Sequence, residues 1–246
     1  MGGKNSILVF VELDGDKIAC VSIELISQAA RMASKLNVDV TAVAIGHKIK
    51  GGLGSLGNYG CSRVYCIEDK RLAHFTAVPY GKIIAQVIKK YKPQIVLFGA
   101  TTTGRSVAPR VASELKCGLT ADCTDLQIGS HKILDKTYED ILMQIRPAFG
   151  GNIIATIVSP ESSPSMATVR DGVMQICPPD KSRTAEIIPE KYKLADSDLL
   201  TEVMKVVREE KKGRLEINEY HNIGRNGRRK PKIACARKRA RSYFRR

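Results

Sequence analysis

The first half of the chain alternates short apolar runs with longer segments in which apolar residues recur every three or four positions. The runs are rich in β-branched residues, which is typical of strands buried on both faces. They are residues 6–12, 38–45, 63–67 and 94–98. The longer segments have the apolar stripe of an amphipathic helix; they are residues 20–36, 78–91 and 106–115. This alternation predicts an α/β fold with a mostly parallel, doubly wound sheet.

Beyond Leu119 the apolar residues recur at every second position. Residues 126–128 and 141–145 alternate apolar with polar side chains, and the Gly-Ser-His segment 129–131 between them predicts a turn. Shorter runs at 153–158, 167–169 and 173–176 are further strand candidates. The second half therefore predicts antiparallel strands added to the parallel sheet.

Prolines concentrate between residues 160 and 189, and an apolar pattern with helical period follows over Ser197–Lys212. Beyond Gly213 no periodicity remains. We therefore predict three parts: an α/β domain over 1–190, a helical linker over 191–212, and a basic, disordered tail over 213–246.

The net charge of +15 comes mainly from the end of the chain. Residues 225–246 contain 11 of the 40 Lys and Arg and no acid, so the rest holds 29 basic against 25 acidic residues. A block of like charge of this kind is often an interaction tail for nucleic acid or acidic lipid.

Composition narrows the function classes. No apolar run approaches the ~18 residues of a membrane span, and no secretory leader opens the chain. The seven cysteines, at 20, 61, 66, 117, 123, 177 and 235, are never spaced C-x-x-C. We expect free thiols in a reducing cytoplasm and no metal site.

Three short motifs are candidates for nucleotide binding or catalysis. Gly52–Gly57 matches G-x-G-x-x-G formally but does not follow a strand directly, so a turn beside a short helix is the favoured interpretation. The small, hydroxylated turn Ala100–Gly104 between a strand and a helix is a potential anion site, although an ordinary βα turn is more frequent. Asp122 and Asp125 could act as acids, although carboxylates in a polar turn are usually solvated.

The segment Gln144–Asn152, QIRPAFGGN, ends a predicted strand in an arginine, followed by a proline turn and two glycines. Glycines allow close approach of the backbone to another group, and a guanidinium held there can contact a phosphate or an electron-rich ring. An ordinary surface arginine at a strand end is the alternative.

Four segments in order resemble the N-terminal domain of the electron-transfer flavoprotein alpha subunit: ILVFVE at 7–12, GATTTGRSVAPRVASELKCGLTADCTDL at 99–126, RPAFGGN at 146–152 and MATVRDGV at 166–173. The resemblance covers about residues 5–212 and implies a domain related to adenine-nucleotide-binding folds. Asp171 departs from the family pattern, in which proline is frequent at this position.

The resemblance implies a heterodimer with a beta subunit that carries electrons between flavin dehydrogenases, such as acyl-CoA dehydrogenases, and another acceptor. The resemblance thus implies an electron-carrier subunit rather than a stand-alone enzyme. In the flavin-bifurcating subgroup a second FAD lies in the beta subunit, facing this domain. By that resemblance Arg146, Phe149, Gly150 and Gly151 lie at the edge of the partner's flavin, and Arg146 stabilises its reduced, anionic form.

The FAD-domain motifs of the family are absent after Tyr220. We expect that the basic end of the chain replaces that domain through a shift of reading frame. The other frames of the gene would then encode the FAD motifs. The alternative is a nucleotide-binding α/β protein with a genuine nucleic-acid-binding tail.

Overall fold

The computed structural model describes residues 6–15, 17–148, 153–199, 201, 203–207 and 241–242. The chain divides into two compact units, Met1–Leu200 and Thr201–Arg246. The strands of the first unit are β1 Ser6–Val11, β2 Leu13–Asp14, β3 Lys17–Ile18, β4 Asp39–Gly46, β5 Arg63–Glu68, β6 Ile95–Gly99, β7 Leu119–Cys123, β8 Asp125–Ile133, β9 Lys136–Ala148, β10 Ile153–Ile157, β11 Ser165–Val169 and β12 Glu186–Pro189. Its α-helices are α1 Cys20–Leu36, α2 Lys50–Leu53, α3 Ala77–Tyr91 and α4 Thr102–Leu115, and its 3-10 helices are Gly54–Tyr59, Lys70–Leu72 and Asp196–Asp198.

The centre of the first unit is a seven-stranded parallel sheet of order β12-β5-β4-β1-β6-β11-β7. All six residues of β1 are buried. The apolar side chains of the sheet form two core clusters, one that includes residues of α1 and one that includes residues of α3 and α4. Helices on both faces explain why the strands are continuous apolar runs. The predicted α/β, mostly parallel, doubly wound fold is confirmed.

A separate antiparallel sheet of order β10-β9-β8 follows the parallel strands. This confirms the added antiparallel structure, but the predicted turn at 129–131 is wrong. These residues lie within β8, and the register shifts between Gly129 and His131. The chain reverses at Leu134–Asp135 instead, because the shift lets the strand continue past the glycine.

Two further predictions in the second half are wrong. Residues 173–176 form no strand; the Gln175 carbonyl instead accepts from Arg31 of α1, and the Cys177 N–H donates to Ser27. The helix over Ser197–Lys212 is also absent from its described part, where Asp196–Asp198 form one 3-10 turn and Val206–Val207 form a strand. Met204, Val206 and Val207 are exposed, so the described residues form no buried helix face here.

Strand β12 was not predicted, because its sequence lies among the prolines that indicated a loosening chain. It pairs in parallel with β5 at the sheet edge, from Glu186 opposite Arg63 to Pro189 opposite Cys66. An edge strand tolerates proline, since one of its sides has no partner strand.

After β12 the chain runs back across α3 and is held by polar contacts. The Glu190 carboxylate accepts from Tyr91 at 2.7 Å and from Lys90. Gln86 exchanges two hydrogen bonds with the backbone of Lys193, and Asp198 pairs with Lys82.

In the second unit, Val206–Val207 (β13) pairs antiparallel with Arg241–Ser242 (β14). The predicted disordered tail otherwise lies outside the described residues, and the predicted domain limits at 190 and 212 stay predictions.

Helix α4 begins at Thr102, earlier than the pattern from Ser106 predicted. Thr101 is its N-cap, and its side-chain oxygen accepts from the Gly104 N–H at 3.0 Å. A threonine cap satisfies one of the otherwise unpaired N–H groups of a first helical turn. The predicted turn Ala100–Gly104 therefore includes the N-cap and the first residues of α4.

The Gly52–Gly57 motif forms the end of α2 and most of the 3-10 helix after it. A Cβ on Gly57 would lie 2.3 Å from the Ala185 nitrogen and 2.4 Å from the Thr184 carbonyl carbon, whereas a Cβ on Gly52 would meet nothing within 4 Å. Gly57 therefore permits close packing of two backbone segments. This agrees with the interpretation of the motif as a structural turn.

Candidate carboxyl-edge site

The residues of interest meet at the carboxyl edge of the parallel sheet, where β1, β6, β11 and β7 end. Doubly wound sheets bind their ligands at this edge. Glu12 follows β1, Thr101 follows β6 and Arg170 follows β11. Strand β9 reaches the same edge, because the Ile145 carbonyl accepts from the N–H of Thr124, the residue after β7.

Glu12 is a buried acid, only 8% exposed. Its carboxylate oxygens lie 2.7 and 2.9 Å from the Thr101 hydroxyl, which donates to it. Burial raises the pKa of Glu12 to about 7, and the hydrogen bond from Thr101 offsets only part of that rise. Glu12 is therefore a carboxyl group that changes charge near neutral pH.

Asp122, near the end of β7, forms ion pairs with two arginines. Arg170 donates to both of its carboxylate oxygens, at 2.6 and 3.2 Å, and Arg105 of α4 lies 3.4 Å away. The hydrogen bonds from Arg170, followed by the charges of Arg105 and Arg146, hold the pKa of Asp122 below its usual value. The acid considered in the sequence is thus the anion of an arginine cluster, and it stays ionised at neutral pH.

Arg146 lies on β9 opposite Ala155 of β10, and it is half-buried. Its charge acts on Asp122 and on the buried Cys123. None of the hydrogen bonds or salt bridges found among the described residues uses its guanidinium. Phe149, Gly150 and Gly151 lie outside the described residues, so only Arg146 of the four predicted flavin-contact residues can be placed.

Strand β10 borders Arg146 and exposes aliphatic side chains. Ile153 is 55% and Ile154 is 73% exposed. Within the described part of the chain, β10 pairs only with β9, so its other edge offers free backbone groups. Exposed aliphatic residues on an unpaired edge are typical of a surface that a protein partner covers.

Sequence reasoning missed Glu12 and the arginines that surround Asp122. Local sequence does not indicate the contact between Thr101 and Glu12, because the two residues are 89 positions apart. The signal in the sequence that could have indicated this site is Glu12 itself, an acid at the end of an otherwise apolar strand.

Thiols and metal ligands add little to the site. Cys61, Cys66, Cys117, Cys123 and Cys177 are free, whereas Cys20 is disulfide-bonded. The prediction of free thiols is thus wrong at Cys20, because spacing along a sequence does not report distance in a fold. Among the described residues we find no group of three or more metal-ligating acids, histidines or cysteines, and no helix long and apolar enough to span a membrane.

Residues 7–197 match the family described as electron transfer flavoprotein domain. The chain belongs to the electron transfer flavoprotein family. The match begins within β1 and ends within the 3-10 turn at Asp196–Asp198, so it includes the parallel sheet apart from Ser6, and the carboxyl-edge site.

The relatives are larger proteins. The chain is 38% identical to the electron transfer flavoprotein subunit alpha of Thermoanaerobacterium thermosaccharolyticum, over 86% of this chain and 62% of that protein. It is 41% identical to the subunit alpha of Clostridium acetobutylicum, over 81% of this chain and 58% of the relative. The chain is 36% identical to the LctC subunit of the Acetobacterium woodii lactate dehydrogenase (NAD(+),ferredoxin), over 90% of this chain and 51% of that subunit. The chain thus spans roughly half to three fifths of their length, and its resemblance to the alpha-subunit N-terminal domain is confirmed.

Proposed function

We propose that the chain is the partner-binding and charge-tuning portion of an electron transfer flavoprotein alpha subunit. It pairs with a beta subunit, and the complex carries electrons between a flavin dehydrogenase and a second acceptor. The observation that carries this proposal is the exposed aliphatic edge strand β10 directly beside Arg146, in a chain of this family.

The names of the relatives support the choice of partners. One relative is the acryloyl-CoA reductase electron transfer subunit beta of Anaerotignum propionicum, at 34% identity. This name favours a flavoenzyme that acts on CoA esters, of the acyl-CoA dehydrogenase type. LctC belongs to an enzyme named for both NAD(+) and ferredoxin, which favours two acceptors and hence flavin bifurcation. Cytoplasmic location stays a prediction.

The described residues fit a flavin at the subunit boundary in one respect. Arg146 presents a cation that no hydrogen bond or salt bridge among the described residues uses, and the ionised Asp122 nearby limits the local excess of positive charge. FAD, when bound, supplies the reversible electron transfer. Arg146 would stabilise negative charge at the flavin edge, while apolar residues of β10 exclude water from the boundary.

The complex itself is the first test. Purified alone, the chain should retain no stoichiometric FAD, whereas with the beta subunit it should elute as a heterodimer in size-exclusion chromatography. Ile154→Asp should weaken this association by at least about tenfold, because it places a charge in an apolar contact. The matched control is Leu134→Asp, at the β8–β9 turn, where the side chain is 89% exposed. Stoichiometric flavin in the lone chain, or equal effects of the two variants, would contradict the proposal.

The role of Arg146 has a separate test. In the flavin-loaded heterodimer, Arg146→Ala should lower a flavin midpoint potential by roughly 60 mV, which for one electron equals about 1.4 kcal/mol of lost electrostatic stabilisation. Arg110→Ala, at an exposed position of α4, removes the same charge and should leave the potential unchanged. Spectroelectrochemical titration measures both. A shift of the same size in the two variants would show that only net charge matters.

A further inference from the structure

In doubly wound folds, ligand phosphates bind in a crevice outside the carboxyl ends of the strands, at the point where the strand order reverses. Here β1 leads through α1 to β4 on one side, while β6 lies on the other side. The first turn of α4 follows β6 at this point, and helix N-termini attract anions through their free N–H groups.

Glu12 fills this crevice. Gly99 leaves room for its carboxyl group, because a Cβ on Gly99 would lie 2.7 Å from the Glu12 Oε1 atom. Gly104 brings the first turn of α4 close to the same place, since a Cβ there would lie 1.9 Å from the Gly99 carbonyl oxygen. The space that glycines often provide for a phosphate is therefore taken by a side chain of the same protein, which is itself more than nine-tenths buried.

The groups that would meet a ligand are already engaged. The Gly104 N–H donates to the Thr101 oxygen, and the Thr101 hydroxyl donates to the Glu12 carboxylate. The backbone of Glu12 is fixed as well, since its N–H donates to the Ser22 hydroxyl at 2.8 Å and its carbonyl accepts from the Ala19 N–H at 2.9 Å. Hydrogen bonds thus hold both the backbone and the carboxyl group of Glu12 in place.

We propose that Glu12 acts as a built-in anion that closes the phosphate crevice of this sheet, so that the chain does not bind a nucleotide at its own strand-order reversal. Glu12 excludes a phosphate by filling its volume, and when ionised it also repels the phosphate by charge. This inference does not rest on the proposed partner or on the position of a flavin. It assigns Glu12 and Thr101 as the contact that keeps the crevice shut.

The test measures ADP and inorganic phosphate binding to the full chain at pH 8 by isothermal titration calorimetry. The wild-type chain should show no saturable binding below ~1 mM. Glu12→Ala empties the crevice and should bind ADP at least about tenfold more tightly than wild type. Glu12→Gln keeps the volume filled and removes only the charge, so it should gain much less affinity for ADP than the alanine variant. Glu114→Ala, at the far end of α4, removes the same charge and should change nothing.

Circular dichroism checks that each variant is folded, and Glu12→Ser, which also empties most of the crevice, replaces the alanine variant if that one unfolds. Saturable micromolar binding of ADP to the wild-type chain, with slower amide exchange in the first turn of α4, would overturn the proposal. A folded alanine or serine variant that binds no better than wild type would overturn it equally, because the crevice would then have no affinity for a phosphate to suppress.

Discussion

The Glu12→Gln variant should be more stable than the wild-type chain at pH 8 by about 3 kcal/mol, and by less than about 1 kcal/mol at pH 5. The cause is the burial of the Glu12 carboxyl, which raises its pKa from 4.5 to about 7. Glutamine keeps an oxygen that accepts from Thr101 and carries no charge at any of these pH values. The variant therefore removes the cost of burying a charge while it preserves the hydrogen bond.

Proton linkage explains why the stability gain of Glu12→Gln is larger at pH 8 than at pH 5. A group whose pKa is raised in the folded state binds a proton more tightly there, so its contribution to stability is complete below the unfolded pKa. Between pH 4.5 and 7 the unfolded chain loses this proton before the folded chain does, and the stability contributed by Glu12 falls until the folded group has also ionised. Asp122 acts in the opposite direction, since Arg170 lowers its pKa, but it is common to both proteins and cancels in their difference.

Urea unfolding of both proteins at pH 5 and pH 8 measures the effect, and the decisive quantity is the change in their stability difference between the two pH values. Glu114→Gln, at an exposed position on α4, removes the same charge as a matched control and should change the stability by less than about 1 kcal/mol at either pH. If the Glu12→Gln difference is the same at both pH values, the pKa of Glu12 is not raised in the folded chain.

Gly57→Ala should destabilise the first unit by about 3 kcal/mol, which is a large effect for one added methyl group. The added Cβ would lie 2.3 to 2.6 Å from three backbone atoms of Thr184 and Ala185. Backbone atoms cannot rotate away as a side chain does. In addition, the Ala185 N–H donates to the Gly54 carbonyl, so the two segments are held together where the clash occurs.

The matched control lies in the same glycine motif. A Cβ on Gly52 meets no atom within 4 Å, and Gly52 belongs to the short helix α2. Gly52→Ala should therefore be neutral or stabilising by up to about 1 kcal/mol, because alanine favours helix more than glycine does. Thermal unfolding of both variants separates the two positions. If the motif were a phosphate loop without its ligand, the two substitutions should change the stability by similar amounts. Equal stability changes would therefore contradict the packing interpretation of Gly57.

The four parallel strands and the three long helices up to Leu115 could be predicted because each is determined by a strong local pattern. The apolar run at residues 6–12 gives β1, and the stripe over residues 78–91 gives α3 almost to the residue. In such segments the burial demanded by the fold and the local periodicity agree, so tertiary contacts change only the ends.

The failures lie where distant contacts decide the structure. β12 is a strand because β5 offers it an edge more than 100 positions earlier in the chain. Residues 173–176 are not a strand, because side chains of α1 occupy the neighbouring backbone groups. The pairing of Glu12 with Thr101 is of the same kind. The local sequence shows which residues are present, but it does not show that two residues far apart along the chain are in contact.

The position of β12 also bears on how the chain folds during synthesis. The neighbouring strands β5, β4 and β1 are all translated before residue 70, whereas the strand that completes their outer edge comes from residues 186–189. Until that segment leaves the ribosome, the backbone of β5 between Arg63 and Cys66 has an open side, next to the side chains of Tyr65 and Cys66 that are buried in the finished fold. An unpaired strand edge is a site of association between chains. Nascent chains that stall before residue 186 should therefore be the ones that most need a chaperone.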